Sequence, residues 1–126
     1  MIVVTRHRVP DGDGSAFRAS AAGALAVLAA RAGFLTGQVG RAVDDAGLWT
    51  VVTTWRDVGS YRRALSGYEA KMRVVPLLST AMDEPSAFEV LATADGAAGT
   101  SALAADAGST RLGEAAAPVV PTDLDG

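Results

Sequence analysis

Residues 48–55 consist almost entirely of β-branched and aromatic side chains, as strands do, and the segment ends on a tryptophan. Successive side chains of a strand point to opposite faces, so one face of this segment would carry Trp49, Val51, Thr53 and Trp55. Asp57 or Ser60 follows where the free N–H groups of a helix need an acceptor. The pattern predicts a strand that leads directly into a helix.

Two elements are predicted near the start of the chain. Residues 2–9 are rich in β-branched side chains and end at a dense turn signal, which predicts a strand. Residues 15–31 repeat apolar side chains at spacings of three and four, as one face of a helix does. That apolar stripe consists of Phe17, Ala21, Leu25, Leu28 and Ala32. Gly33 suits the left-handed residue that ends a helix.

A hairpin is predicted in the middle of the chain. Residues 34–43 form its first strand, and Gly37 and Gly40 suggest a bulge or a close approach by another backbone. Residues 44–47 form its turn, with Gly47 free to take a positive φ angle. The strand that ends at the tryptophan then completes the hairpin.

The second helical region is predicted to be broken. Gly67 and Pro76 interrupt residues 57–80, and residues 86–93 then read as a last strand. The order βαββαβ predicts an α+β, ferredoxin-like fold with an antiparallel sheet. Helices would cover one face of that sheet. Since a monomer rarely leaves a large apolar face bare, we expect a homodimer that packs sheet against sheet.

Composition restricts the classes of protein to which the chain can belong. The 126 residues suit one domain, and the chain contains neither cysteine nor asparagine. Residues 1–93 are nearly neutral and show no basic face for nucleic acid, whereas residues 94–126 predict an acidic, flexible tail rich in alanine and glycine. No apolar run is long enough for a membrane span, and no signal peptide is evident, so a cytoplasmic protein is expected.

The unit of strand, tryptophan and helix resembles the antibiotic biosynthesis monooxygenase family over residues 1–93. The resemblance rests on Gly33-Phe34, Trp49, Trp55 and residues 57–61, and two further segments, 61–69 and 83–90, are similar to an actinobacterial subgroup. It implies a homodimeric α/β barrel. It also implies oxygen chemistry on an electron-rich phenol without a metal, flavin or other cofactor.

The family's cavity is lined by a tryptophan that closes the third strand and a tyrosine six residues later. Trp55 and Tyr61 reproduce that spacing and are the first catalytic candidates, with His7 as a possible base. The alternative for His7 is a partly buried strand histidine that is hydrogen-bonded across the sheet. The candidate residues for binding a small apolar or aromatic molecule are Trp49, Thr53, Tyr68 and Arg73. No metal site is predicted, because no second histidine and no cysteine accompany His7.

One departure from the family separates two hypotheses. The family's oxygen-chemistry enzymes have an asparagine four positions before the tryptophan, where this chain has Val51. Thr53 is the nearest polar substitute. The first hypothesis is a cofactor-independent oxygenase of aromatic polyketide or quinol substrates, and the second is a non-catalytic ligand-binding or accessory dimer. A haem-binding role is disfavoured because residues 57–80 contain no histidine, and a partner bound through the acidic tail is a third possibility.

Overall fold

A computed structural model of the chain describes residues 1–97. Within this range the elements in chain order are β1 Ile2–Arg8, α1 Gly14–Ala29, β2 Phe34–Ala42, β3 Asp45–Trp55, α2 Val58–Ala64, α3 Tyr68–Arg73, α4 Val75–Leu78 and β4 Ala87–Phe88. Met1–Val90 forms one compact unit. The predicted tail of residues 94–126 falls mostly on residues 98–126, which lie outside the described part. No helix of residues 1–97 is both long and apolar enough to cross a membrane.

The four strands form one antiparallel sheet in the order β2-β3-β1-β4. This is the ferredoxin-like arrangement, so the predicted fold class is confirmed. His7 of β1 lies opposite Trp49 of β3, and Val3 lies opposite Thr53. The buried side chains of these two strands therefore alternate onto one inner face, which the helices cover.

Small side chains allow α1 to lie close to the sheet. Ala21, Ala24 and Leu28 are its buried residues. A Cβ added at Gly37 of β2 would lie 2.8 Å from the Leu25 side chain, which is closer than real Cβ contacts come. The close neighbours of this glycine are the side chains of Leu25 and Phe34, so the predicted approach by another backbone was wrong. The bulges lie elsewhere, because the register of β2 and β3 shifts between Phe34 and Thr36 and again next to Ala42.

The hairpin turn is shorter than predicted. Ala42 pairs with Asp45, so the connection consists of residues 43–44 and β3 begins three residues earlier than expected. Gly47 lies inside β3, where its N–H donates to the Asp45 carboxylate and its carbonyl accepts from Val9. The prediction of a positive φ at Gly47 was wrong. Hydrogen bonding to both neighbours holds this glycine in extended backbone instead.

The breaks in the second helical region lie where the sequence predicted them. Gly67 precedes α3, Val74 separates α3 from α4, and Pro76 occupies the first turn of α4. Proline is tolerated there because the first N–H groups of a helix have no partner within it.

The last strand is much shorter than the predicted residues 86–93. Phe88 pairs with Ile2, which is the first residue of β1, so the residues after Phe88 run past the end of their partner strand. The side-chain pattern of a strand continues in residues 89–93, but β1 begins at Ile2 and has no backbone left with which they could pair.

Candidate functional site

Trp55 anchors the inner face at the end of β3. Its side chain is 1% exposed, and its indole Nε1 donates a hydrogen bond of 2.8 Å to Thr53 Oγ1. The Phe34 ring meets it edge-on, with ring centroids 5.2 Å apart. Tryptophan and threonine share this face because they are two residues apart in a strand, as the sequence predicted.

Tyr61 is brought to Trp55 by α2. The carboxylate of Asp57 accepts a hydrogen bond of 2.7 Å from the Ser60 N–H, which confirms the predicted helix cap and sets the start of α2. The Tyr61 ring then lies 5.5 Å from the Trp55 ring. Burial raises the pKa of the Tyr61 phenol, so the hydroxyl stays protonated at neutral pH and can act as a hydrogen-bond donor.

His7 is buried in a chain of hydroxyl groups. The Thr80 hydroxyl donates to the Leu77 carbonyl, so it accepts from the His7 Nδ1–H at 2.9 Å. The His7 Nε2 atom is left to accept from the Thr5 hydroxyl, also at 2.9 Å. This network assigns the neutral Nδ1–H tautomer. Burial lowers the pKa of His7, and hydrogen bonding to the backbone of Thr80 only partly opposes that effect.

Trp49 lies at the opposite end of the inner face from Trp55. The Phe17 ring of α1 packs between the rings of His7, at 5.0 Å, and Trp49, at 5.3 Å. The Arg41 guanidinium lies over Trp49, 5.4 Å from the ring centroid. The side chain of Trp49 is thus held between two neighbours, and its indole is largely closed off from solvent.

Tyr68 and Arg73 lie outside this interior. The Tyr68 side chain is 76% exposed, and the Arg73 guanidinium lies 3.8 Å from the Glu69 carboxylate on the surface of α3. Both side chains line an open groove between α1 and α3. The structure therefore brings five of the seven predicted site residues to the inner face and the other two to the outer side of the helices.

The space enclosed between sheet and helices is small. Its volume is about 10 Å³, which is room for about one water molecule. The lining residues are Val3, Thr5, Ala24, Leu25, Leu28, Val51, Thr53, Tyr61, Val74, Leu77 and Leu78. Apolar side chains from α1, α3–α4 and β3 fill the remaining volume. Thr5, Thr53 and Tyr61 supply the polar atoms of this lining.

Sequence reasoning missed three residues of this region. Thr5 lies two residues before His7 and therefore shares its face of β1, but the hydrogen bond between them was not predicted. Thr80 is 73 positions from His7, and Phe17 was assigned only to an apolar stripe. The two-residue spacing of Thr5 and His7 is the one feature of the sequence that could have predicted their hydrogen bond. Among residues 1–97 no group of three or more histidines, cysteines or carboxylates could hold a metal ion.

Comparison with known proteins agrees with the fold. The family model for antibiotic biosynthesis monooxygenase matches residues 1–71. SnoaB, a cofactor-independent oxygenase from Streptomyces nogalater, is 24% identical, with 71% of this chain and 94% of that chain covered at a TM-score of 0.58. A putative antibiotic biosynthesis monooxygenase from Nitrosomonas europaea is 11% identical, with 72% and 98% covered at 0.58.

A conserved protein from Methanosarcina mazei Go1 is 20% identical, with 68% of this chain and 84% of that chain covered at a TM-score of 0.57. The search of curated proteins found no match. Because these solved structures are less than 25% identical to this chain, they support its fold alone. The family model matches more than half of the chain. The chain belongs to the antibiotic biosynthesis monooxygenase family.

Proposed function

We propose that the protein is a cofactor-independent monooxygenase that acts on an electron-rich phenol or quinol of the aromatic polyketide type. Family membership and the fold shared with SnoaB support oxygen chemistry. The observation that carries the proposal is the buried cluster of Trp55, Thr53 and Tyr61, which places two aromatic rings beside two hydroxyl groups. Such a cluster suits a flat aromatic molecule with a phenolic oxygen.

The proposed reaction needs no electrons from a cofactor. A deprotonated phenol has carbanion character at a ring carbon, and that carbon forms a bond to O2. The resulting peroxide loses water, so one oxygen atom remains as the quinone carbonyl and the other leaves in water. The four electrons that reduce O2 come from the substrate. The protein's task is to hold the anion, shield it from bulk water and supply protons.

Three side chains divide that task. The Thr53 hydroxyl accepts from the Trp55 indole, which leaves its own hydrogen free to donate to a substrate oxygen. The Tyr61 hydroxyl is protonated at neutral pH, and burial raises its pKa further, so it donates to the phenolate or to the peroxide. Trp55 and Tyr61 together form the aromatic wall.

His7 would act through Thr5 rather than by direct contact. The Thr5 hydroxyl lines the enclosed space and also meets the His7 Nε2 atom. A proton from the substrate could therefore pass to the imidazole through this hydroxyl. Thr80 holds the other ring nitrogen and so fixes which nitrogen is basic.

Substrate entry requires the interior to expand. An aromatic substrate needs a few hundred Å³, whereas the closed space is about 10 Å³. Val74, Leu77 and Leu78 form the wall on the side of α3 and α4, which are short and separated by a break. We place the opening movement in this wall.

The test is turnover with anthrone as the probe, followed by oxygen consumption and by incorporation of one ¹⁸O atom from ¹⁸O2. Tyr61→Phe should lower kcat by about 100-fold, and Trp55→Phe by about tenfold, with folding unchanged. Thr53→Val should also lose activity, because it removes the donor to the substrate.

Thr54→Val is the matched control. Thr54 is the next residue of β3, but its hydroxyl lies on the opposite face and pairs with Thr36. Its activity should equal that of the unchanged protein. If all four variants turned over the probe as fast as the unchanged protein, the proposed site would be wrong.

The absence of the family's asparagine favours a second candidate, a non-catalytic ligand-binding or accessory dimer. Val51, rather than the family's asparagine, lines the space at the corresponding position. This candidate predicts that native mass spectrometry of freshly purified protein finds a bound apolar molecule that is chemically unchanged after incubation in air. An oxygenated product would exclude it.

We also propose that the protein is a homodimer formed by the outer face of the sheet. Val4 and Val52 lie directly opposite each other on that face, and Ile2 extends the apolar patch. These side chains are only half-buried in a single chain. A second copy packed on this face would cover them.

A further inference from the structure

A long open groove runs along the outer side of the helices, away from the sheet. It consists of two adjoining depressions of about 540 and 360 Å³, which share Gly23 and Arg73. One depression lies between α1 and α3, and the other lies between α1 and α4. The residues that α1 and its C-terminal cap contribute are Ala19, Ser20, Gly23, Ala26, Val27 and the cap Ala30. We call this feature the α1 groove.

The floor of the α1 groove is made of small side chains. Gly23 and Ala26 lie three residues apart on α1, and Ala64 and Ala70 meet them from α2 and α3. A Cβ built on Gly23 would reach only ordinary contact distance, 3.6 Å from the Arg73 guanidinium. The Arg73 guanidinium therefore lies over Gly23, and the open volume of the groove begins beside it, at Ala26 and Ala64. Another backbone could approach closely once the flexible Arg73 side chain moves aside.

Large apolar side chains stand exposed beside this floor. Tyr68, Met72 and Val75 are 76%, 59% and 43% exposed. Their spacing of four and then three residues puts them on one side of the α3–α4 segment, because the backbone of Val74 between the two helices keeps helical angles. An exposed apolar stripe next to a groove of small residues is typical of a surface that binds another protein.

The charge of the helical layer is opposite to that of the whole chain. Residues 14–31 and 58–78 contain six basic residues and one acidic residue, a formal charge of +5, whereas the chain carries −3. Arg31, Arg73 and one carboxylate, Glu69, line the groove itself, and Glu69 lies 3.8 Å from Arg73. The Arg31 guanidinium lies 3.5 Å from the Cβ position of Gly67, so the two arginines flank the small-residue floor at Gly67 and Gly23. Negative charge on a ligand would be attracted here.

We propose that the α1 groove docks an acidic amphipathic helix of a partner protein. The stretch from Ala19 to Ala30 is about 16 Å long, which matches three turns of a helix. Leucine-like side chains of the partner would pack on the small residues and against the exposed stripe. Its flanking carboxylates would pair with Arg31 and would compete with Glu69 for Arg73, an exposed pair that is weakly held.

The shape of the groove favours a helix over a small molecule. Both depressions are open to solvent along their length, so a small ligand would leave much of its surface in water. The groove lies on the helical layer, whereas the proposed dimer uses the outer face of the sheet. Partner binding and dimerisation can therefore occur together.

The test uses a fluorescein-labelled peptide of about 16 residues, with leucine at positions i, i+3, i+4 and i+7 and glutamate at most others. Fluorescence anisotropy with the full chain should give saturable binding in the micromolar range, weakened as salt rises from about 0.05 to about 0.5 M. A peptide with lysine in place of glutamate is the control and should not bind.

Two variants locate the binding site. Gly23→Leu fills the floor, and the double variant Arg31→Glu, Arg73→Glu reverses the charge, so each should weaken binding at least about tenfold. Arg8→Glu reverses a charge on the sheet instead and should change nothing. Unchanged melting temperatures exclude misfolding as the cause.

Three outcomes would overturn the proposal. The first is the absence of saturable binding. The second is a lysine peptide that binds as tightly as the glutamate peptide. The third is a Gly23→Leu variant and a double arginine variant that bind the glutamate peptide as tightly as the unchanged protein does. Vesicles that contain phosphatidylserine are a further arm of the experiment. If they bind more tightly than the peptide and lose binding in the same variants, the surface recognises an anionic membrane and no partner helix.

Discussion

At the scale of single residues, His7 has both ring nitrogens engaged by hydroxyl groups of the fold. Thr80 accepts from Nδ1–H and Thr5 donates to Nε2, so the neutral ring is fully satisfied. A protonated ring would have to donate from both nitrogens in a buried site. The structure therefore stabilises the neutral form, and this preference has a consequence for the whole protein's stability.

The pH dependence of stability should reveal that preference. Folding lowers the pKa of His7 from its ordinary value of 6.5. Below that pH, His7 is therefore protonated more fully in the unfolded chain than in the folded protein. The contribution to stability is complete above the unfolded pKa and is lost as pH falls towards the folded pKa. Urea unfolding should therefore show a free energy of unfolding that decreases as the pH falls below about 6.5.

His7→Gln provides the control for this measurement. Glutamine keeps one donor and one acceptor but does not titrate, so its stability should stay level over the same window. Asp45, Asp57 and Glu84 also have lowered pKa values, but they protonate at lower pH. An identical slope in both proteins would assign the pH dependence to another group.

Gly33 is a second residue whose role depends on its surroundings. Its φ angle is +90°, and an added Cβ would overlap the Ser60 side chain. Gly33→Ala should therefore lower the free energy of unfolding by about 3 kcal/mol, the sum of left-handed strain and overpacking. Gly12→Ala is the matched control, since Gly12 has a φ of +89° with nothing within 4 Å.

Thermal or urea unfolding measures both glycine variants. Gly12→Ala should lose only about 1 kcal/mol, which is the backbone contribution alone. If the two variants were equally stable, the contact between Gly33 and Ser60 would not restrict the backbone. Because Ser60 belongs to the first turn of α2, this contact also helps to position Tyr61.

At the scale of elements, α2 is short and depends on its cap. The seven-residue helix carries Tyr61 to Trp55, and the Asp57 carboxylate satisfies the Ser60 N–H at its start. A helix this short has little stability of its own, so its position comes from the cap and from packing. The orientation of Tyr61 should therefore be sensitive to Asp57.

Asp57→Ala should lower the melting temperature and loosen Tyr61. The matched control is Asp13→Ala, because Asp13 stands at the same position before α1 but makes no capping hydrogen bond through its side chain. Differential scanning calorimetry gives the melting temperatures, and near-ultraviolet circular dichroism follows the environment of Tyr61 and Trp55. A larger loss for Asp13→Ala would contradict the capping role.

Elements whose limits depend on local sequence were predicted well. The strand that ends at Trp55, the break at Gly67 and the turn of α4 at Pro76 follow from side-chain alternation and from the backbone limits of glycine and proline. The hairpin turn and the length of β4 were predicted wrongly. Both depend on where the partner strand begins or ends. The alternation of side chains along one strand does not specify the ends of its partner.

At the scale of the whole molecule, the two sides of the protein differ. One side is the outer face of the sheet, where Val4 and Val52 lie opposite each other. The other side is the basic helical layer with its groove of small residues. We propose that the first side forms the dimer and the second binds a partner.

Val52→Asp should convert the dimer to a monomer, because a charge at the centre of the apolar face would be buried without a partner. Ser15→Glu adds the same charge to an exposed position of α1 and should leave the dimer intact. Sedimentation velocity distinguishes the two states. If the unchanged protein were already a monomer, or if the dimer survived Val52→Asp, the sheet face would not be the interface.

The sequence by itself determined the order of elements, the face on which each strand residue lies and the family. These properties depend on local periodicity and on side-chain spacing, which one chain displays directly. The proximity of Thr53, Trp55 and Tyr61 also followed, because a strand and a capped helix join them within nine residues.

Only the tertiary structure decided what surrounds these residues. Thr80 reaches His7 across 73 positions of sequence, and the small side chains of α1 close the interior to about 10 Å³. Tyr68 and Arg73 lie on the outer groove because the break at Gly67 lets packing set the direction of α3. Contacts between distant segments depend on how helices pack on the sheet, and no local pattern specifies that packing.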